Sequence, residues 1–239
     1  MCIRDRYKLR PKDARGTTLT NWLNSRHSFS FGDYYDPTNM GFSDLRVIND
    51  DIVAPGQGFG LHPHKNMEIL SLVLEGSLEH KDSMGNASII NKGEVQKMSA
   101  GSGIYHSEFN PSKKNHVHFL QIWILPDKND LRPYYEQKFF NLEKNRNELV
   151  LIASKTGIKN SIKISQDVKI YQCLLDYGKT VEFTINSERK YWIQIAEGAI
   201  NINSKRFDAG DGIAIIDESN LLQIQSVESI SNFLIFDLR

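Results

Sequence analysis

Cysteine is almost missing from this chain: 239 residues contain two, Cys2 and Cys173. That excludes a disulfide framework and fits a reducing compartment, so the cytoplasm is the expected location. Net charge is missing too. There are 29 Lys+Arg against 29 Asp+Glu, and residues 1–130 hold 15 of each sign. Neither half offers the basic surface that nucleic acid requires, and no direct nucleic-acid binding is expected. No apolar run approaches the roughly 20 residues that span a bilayer, and no charged-then-apolar leader opens the chain. No membrane association is expected. Helical periodicity is scarce, with residues 142–153 the one stretch expected to be helical. Histidine, finally, is absent from the last 121 residues; all seven (27, 62, 64, 80, 106, 116 and 118) lie before them. Metal chemistry, if present, belongs to the first half.

What the chain does have is many short apolar segments, spaced by 8–12 residues and punctuated by Gly, Pro and Asn-Asp turns. Leu45-Arg46-Val47-Ile48, Ile69 to Leu74, His116 to Leu125, Lys169 to Leu175, Tyr191 to Ala196 and Phe233 to Phe236 all read as strands. The pattern predicts an all-β sandwich or barrel. It also repeats. Leu74-Glu75-Gly76-Ser77-Leu78 resembles Ala196-Glu197-Gly198-Ala199-Ile200, and Lys92-Gly93-Glu94-Val95 resembles Ala209-Gly210-Asp211-Gly212. The expected domains are therefore 1–130 and 131–239, joined through the polar segment from Asp127 to Pro133. Residues 1–6 show no period and are expected to be extraneous to the fold.

The chemistry concentrates in His62-Pro63-His64 and His106-Ser107-Glu108. In a strand, residues i and i+2 share a face, so each string can aim two ligands into one interior. One HxH alone is a weak signal; the two strings together predict a metal site at His62, His64, His106 and Glu108. Three imidazoles and a carboxylate suit Fe, Mn, Co, Ni, Cu or Zn, so ligand type leaves the metal open. Four protein ligands on an octahedral ion leave two positions for a substrate oxygen and O2, unlike a closed structural zinc site. Glu108 has a second role open to it, as base for a substrate proton. Transferred by the repeat, the four positions become Thr184, Asn186, Gln223 and Gln225, so the second domain is expected to hold no metal. Of the other candidates, His80 is expected to be solvated, and His116 and His118 structural or pocket-lining. Glu68 is expected either to orient an imidazole or to have a surface or turn role. Cys173 is expected in an apolar core.

These strings sit in a wider pattern. Gly56-x5-His62-x-His64-x3-Glu68-x7-Gly76 is close to the first cupin motif, and Gly93-x5-Ser99-x-Gly101 followed by His106-x3-Asn110 looks like the second. More specifically, Asp33-Tyr-Tyr-Asp-Pro37, Leu45-Arg-Val-Ile-Asn-Asp50, Glu79-His-Lys-Asp-Ser-Met-Gly-Asn86 and His106-Ser-Glu-Phe-Asn110 resemble the pirin family. The resemblance implies two tandem cupin (double-stranded β-helix, jelly-roll) barrels, the first binding iron, as Fe(II), or a similar metal through His62, His64, His106 and Glu108. It further implies a quercetin 2,3-dioxygenase, opening a small aromatic flavonol with O2 and releasing carbon monoxide, and expected to be monomeric. The alternative it carries is a redox-dependent regulator with a protein partner.

Overall fold

The computed structural model describes residues 7–239; the proposal that residues 1–6 are extraneous lies outside them. Strands dominate. The helical segments among the described residues are two three-residue 3-10 turns, Lys12–Ala14 and Ile158–Asn160. The helix expected over residues 142–153 does not form. Residues 142–147 are turn, Asn147 takes a left-handed φ of 64°, and Val150–Ser154 pairs as a strand with Lys169–Asp176.

Two compact units divide the chain. One comprises Gly16–Phe140 with Ile162–Gln166; the other comprises residues 7–15, Asn141–Ser161 and Asp167–Arg239. These limits differ from the expected 1–130 and 131–239 at both ends. Lys8–Arg10 pairs with Gly212–Ile215, late in the chain. Tyr134–Phe139 pairs with Glu94–Ser99, placing Gln137 opposite Gln96, so the first unit runs past the presumed linker.

In the first unit, seven antiparallel strands follow the order Tyr134–Phe139, Glu94–Ser99, Glu68–Glu75, Val117–Ile124, Leu45–Val53, Leu23–His27 and Gly16–Leu19. A second sheet of four orders Gly58–His64, Ile104–Phe109, Ser77–Asp82 and Ala87–Asn91. Leu78 and Ile90 from the smaller sheet pack with Val53, Val73, Val117 and Phe119 from the larger. Each such fully buried side chain contributes about 1.5–3 kcal/mol. The other unit repeats this plan. Ile200, Ile202, Leu222 and Ile224 of its four-stranded sheet pack with Ile193, Ile195, Ile213, Phe233 and Ile235, and Cys173 lies among them.

The duplication is visible at two glycines. Gly76 and Gly198 end equivalent strands with φ of 76° and 72°, a region costly for residues with a Cβ. A Cβ would also meet backbone: His116 O at 2.8 Å from Gly76, and Ile230 O at 2.2 Å from Gly198.

Candidate metal centre

Gly58–His64 and Ile104–Phe109 run antiparallel, with His62 directly opposite His106 and Ile104 opposite His64. Alternation keeps His62 and His64 on one face, and the pairing delivers His106 to it. The nitrogen donors of these three lie within 4.8 Å of one another. A register shift between His106 and Glu108 then sets Glu108 against Phe59. The Glu108 carboxylate, His106 and His80 also offer donors within 4.8 Å of one another. His62, His64 and His106 thus come together in one group, and Glu108 shares a second group with His106 and His80.

His80 is fully buried, which overturns the solvated position expected for it. Its strand, Ser77–Asp82, pairs with Ile104–Phe109 and sets His80 opposite Glu108. Glu68 is also not where a support for an imidazole would be. Asn66, with φ of 51°, breaks the strand after His64. Glu68 instead forms a buried ion pair with Lys97 (3.3 Å) and accepts a bond from Ser165 N (3.1 Å). His118 pairs with Asp50 at 2.6 Å and His116 with Glu75 at 3.3 Å, both apart from the histidine cluster.

The neighbours of each ring nitrogen define what the imidazoles offer a metal. His62 Nδ1 donates to Gly60 O at 2.7 Å, leaving its Nε2 as a lone pair. His80 Nε2 lies 3.2 Å from Asp82 Oδ2. His106 Nδ1 stands 3.5 Å from His80 Nδ1, and His106 Nε2 faces His62 Nε2 at 2.9 Å. With its proton on Nδ1, His106 presents Nε2 as a second lone pair beside that of His62, and one cation can lie against both. Burial, reinforced by the neighbouring histidines, lowers the pKa of His64 and of His106 to about 3. Both are neutral, the form that ligates. The donor set fits a divalent metal.

Behind the centre runs a buried polar row. Cross-strand pairing lines up His27, Asn49, Gln121, Ser71 and Gln96 on five neighbouring strands of the larger sheet. His27 Nδ1 lies 2.8 Å from Asn49 Oδ1. Gln121 Nε2 donates to Glu108 Oε2 at 2.7 Å. Ser71 Oγ is 2.8 Å from both Glu108 Oε1 and Gln121 Oε1, and its single proton serves one of them at a time. The row fixes the Glu108 carboxylate. One row away, Ser25 pairs with Asp51, whose pKa is raised to about 7, first by burial and then by Asp50 and Glu108, against the Ser25 hydrogen bond. A cavity of about 230 Å³ reaches the centre; its walls include His62, Glu108, Gln121, Asp51, Phe59 and Trp123. Trp123 stands edge-on to His64, with ring centroids 4.9 Å apart. Of these wall residues, the sequence marked only His62 and Glu108 as site residues.

Comparison with known proteins agrees with this architecture. The pirin family profile matches residues 8–124, and that of the quercetinase C-terminal cupin domain matches residues 151–238. The quercetin 2,3-dioxygenase of Escherichia coli K12 is 46% identical over 230 residues, covering 96% of this chain and 97% of its own. The chain belongs to the pirin family. The crystal structure of YhhW from Escherichia coli superposes on this pirin with a TM-score of 0.92 at 46% identity, covering 98% and 97% of the two chains. A second structure, of bacterial pirin YhhW in complex with nickel(II), gives a TM-score of 0.91, covering 97% and 98%. Both units are thus cupin barrels of pirin type. Among the described residues of this pirin, no helix is long and apolar enough to cross a membrane.

Proposed function

We propose that this pirin is a metal-dependent dioxygenase that cleaves quercetin or a related flavonol with O2, releasing carbon monoxide, and that His62, His64, His106 and Glu108 hold its metal. The observation that carries the reading is the pair of imidazole nitrogens, His62 Nε2 and His106 Nε2, facing each other 2.9 Å apart beside a cavity with aromatic walls. The 46% identity to a protein named quercetin 2,3-dioxygenase supports the substrate class. The nickel(II) complex of the Escherichia coli pirin supports a divalent ion, and we propose Fe(II) as the native one. The buried free thiol of Cys173 accords with the reducing cytoplasm as its compartment.

A divalent metal held there would supply a Lewis acid for an acidic flavonol hydroxyl and electron transfer for O2. The protein's own groups do the rest. Glu108 accepts the hydroxyl proton, and Gln121 and Ser71 hold its carboxylate in place while it does so. Phe59 and Trp123 present apolar faces to a planar ring and limit water in the cavity. The burial that keeps His64 and His106 neutral keeps them ligands rather than competing acids.

The test is direct. Protein loaded anaerobically with Fe(II), then mixed with quercetin and air, should consume O2 and evolve carbon monoxide. His62→Ala and Glu108→Ala should each fall to background; wild-type rates in either variant would overturn the site. Turnover at background, with partner affinity that differs between Fe(II) and Fe(III), would instead favour the regulatory reading.

A further inference from the structure

The cavity beside the metal centre contains two polar atoms with nothing to bond. Asp51 Oδ1 and Trp123 Nε1 are both buried and both lack a hydrogen-bond partner, and both residues line the same cavity. Asp51 is only 3% exposed. Other polar groups of that wall are engaged: His62 by Gly60, Glu108 by Gln121 and Ser71, and His27 by Asn49 and Thr18. A buried group left without a partner is destabilising, because it has lost its bond to water and gained none. Two in one wall are hard to explain as packing accidents, since native proteins satisfy nearly all such groups. A ligand carrying oxygens satisfies both.

We infer that Asp51 and Trp123 are specificity-determining residues of the flavonol pocket, the Asp51 carboxyl bonding a substrate hydroxyl and the Trp123 indole N–H donating to a substrate oxygen. The inference rests on the proposed function for its substrate class. Their placement says what they distinguish. Asp51 lies opposite Phe119, and Trp123 is four residues further along that strand, about 13 Å at 3.3 Å per residue. Trp123 lies beside His64, and Asp51 lies on the other side of the Gln121 row that holds Glu108. Two bonding groups at separate positions along the wall suit a multi-ring polyphenol with oxygens on separate rings. The selectivity is sharp in principle, because a site built to bond a hydroxyl rejects the analogue lacking it.

The experiment is calorimetric binding of quercetin, and of flavonols lacking one hydroxyl at a time, to metal-free and metal-loaded protein. Wild type is compared with Asp51→Leu, Asp51→Asn and Trp123→Phe, with metal content measured for each. Asp51→Leu and Trp123→Phe should each weaken quercetin roughly tenfold, the ratio for one lost hydrogen bond. Asp51→Asn, still able to bond a hydroxyl, should recover part of that loss. For one analogue in the panel, Asp51→Leu and wild type should bind equally, which identifies the hydroxyl that Asp51 holds. Turnover of the loaded Asp51→Leu variant should show the loss in KM rather than kcat. Folded, metal-binding variants whose affinities match wild type across the whole panel would overturn the inference and leave the dioxygenase reading standing. A wild type that binds no flavonol, with or without metal, would overturn both.

Discussion

His62 Nε2 and His106 Nε2 face each other at 2.9 Å. Directly opposed strands create this contact, and with each proton on the opposite ring nitrogen both lone pairs meet one shared cation. Metal binding should therefore stabilise the first unit. At a free metal concentration of 100 times Kd the gain is about 2.7 kcal/mol. A chelator should lower Tm, and one equivalent of Fe(II) or Ni(II) should restore it. His106→Ala should abolish the response; a Tm indifferent to metal would refute the centre.

The chain from Asp82 through His80 to His106 predicts an effect away from the ligands. A partner of this kind fixes the ligand's tautomer, and its loss typically costs 10–100-fold in metal affinity or activity. His80→Phe keeps an aromatic ring beside Tyr135, whose ring centroid lies 5.1 Å away, but removes the ring nitrogen that faces His106 Nδ1. Metal affinity by competition titration should fall roughly 10–100-fold while the far-UV spectrum is unchanged. Unaltered affinity would mean that His106 needs no support from behind.

Gln121 and Ser71 act on the carboxylate rather than on the imidazoles. Gln121→Leu removes the bond to Glu108 Oε2 and should lower kcat for flavonol turnover by about tenfold, within the range for such supporting groups. KM should change less, because Glu108 is proposed to move a proton and not to bind the ring. An equal loss in KM would show that Gln121 contacts substrate itself.

Why the ligand strings were legible and their supports were not has a physical answer. His62-Pro63-His64 announces itself because alternation in a strand is rigid, so two ligands at i and i+2 can only share a face. Ser71 and Gln121 follow the same alternation, but polar residues between apolar ones read as solvent-facing, whereas both faces of Glu68–Glu75 are buried up to Leu74. A polar row inside a sheet looks, in sequence, like the outside of one. His80 was misplaced for the same reason. Glu68 failed differently: its predicted role assumed a regular strand, and Asn66 breaks it. The domain limits were missed because Lys8–Arg10 and Tyr134–Phe139 find their partners through long-range pairing, which local pattern does not carry.

Asp51 makes stability depend on pH with an unusual sign. Burial raises its pKa from 3.8 to about 7, so between those values the folded protein holds a proton that the unfolded chain has released. Stability from this group is complete below pH 3.8 and is lost as pH rises to 7. Each unit is worth 1.36 kcal/mol, giving a total of about 4 kcal/mol. His64 and His106, with lowered pKa values, act oppositely, losing stability as pH falls below their unfolded value. Asp51→Asn leaves those histidines in place, so the difference between variant and wild type isolates the carboxyl. In urea unfolding of metal-free protein, that difference should shift in favour of Asp51→Asn by about 2–3 kcal/mol between pH 5 and pH 8. A difference that stays flat over this range would mean that Asp51 is already ionised in the folded protein at pH 5. The carboxyl would then have to be solvated or paired with a cation, contrary to its burial in the wall of the cavity.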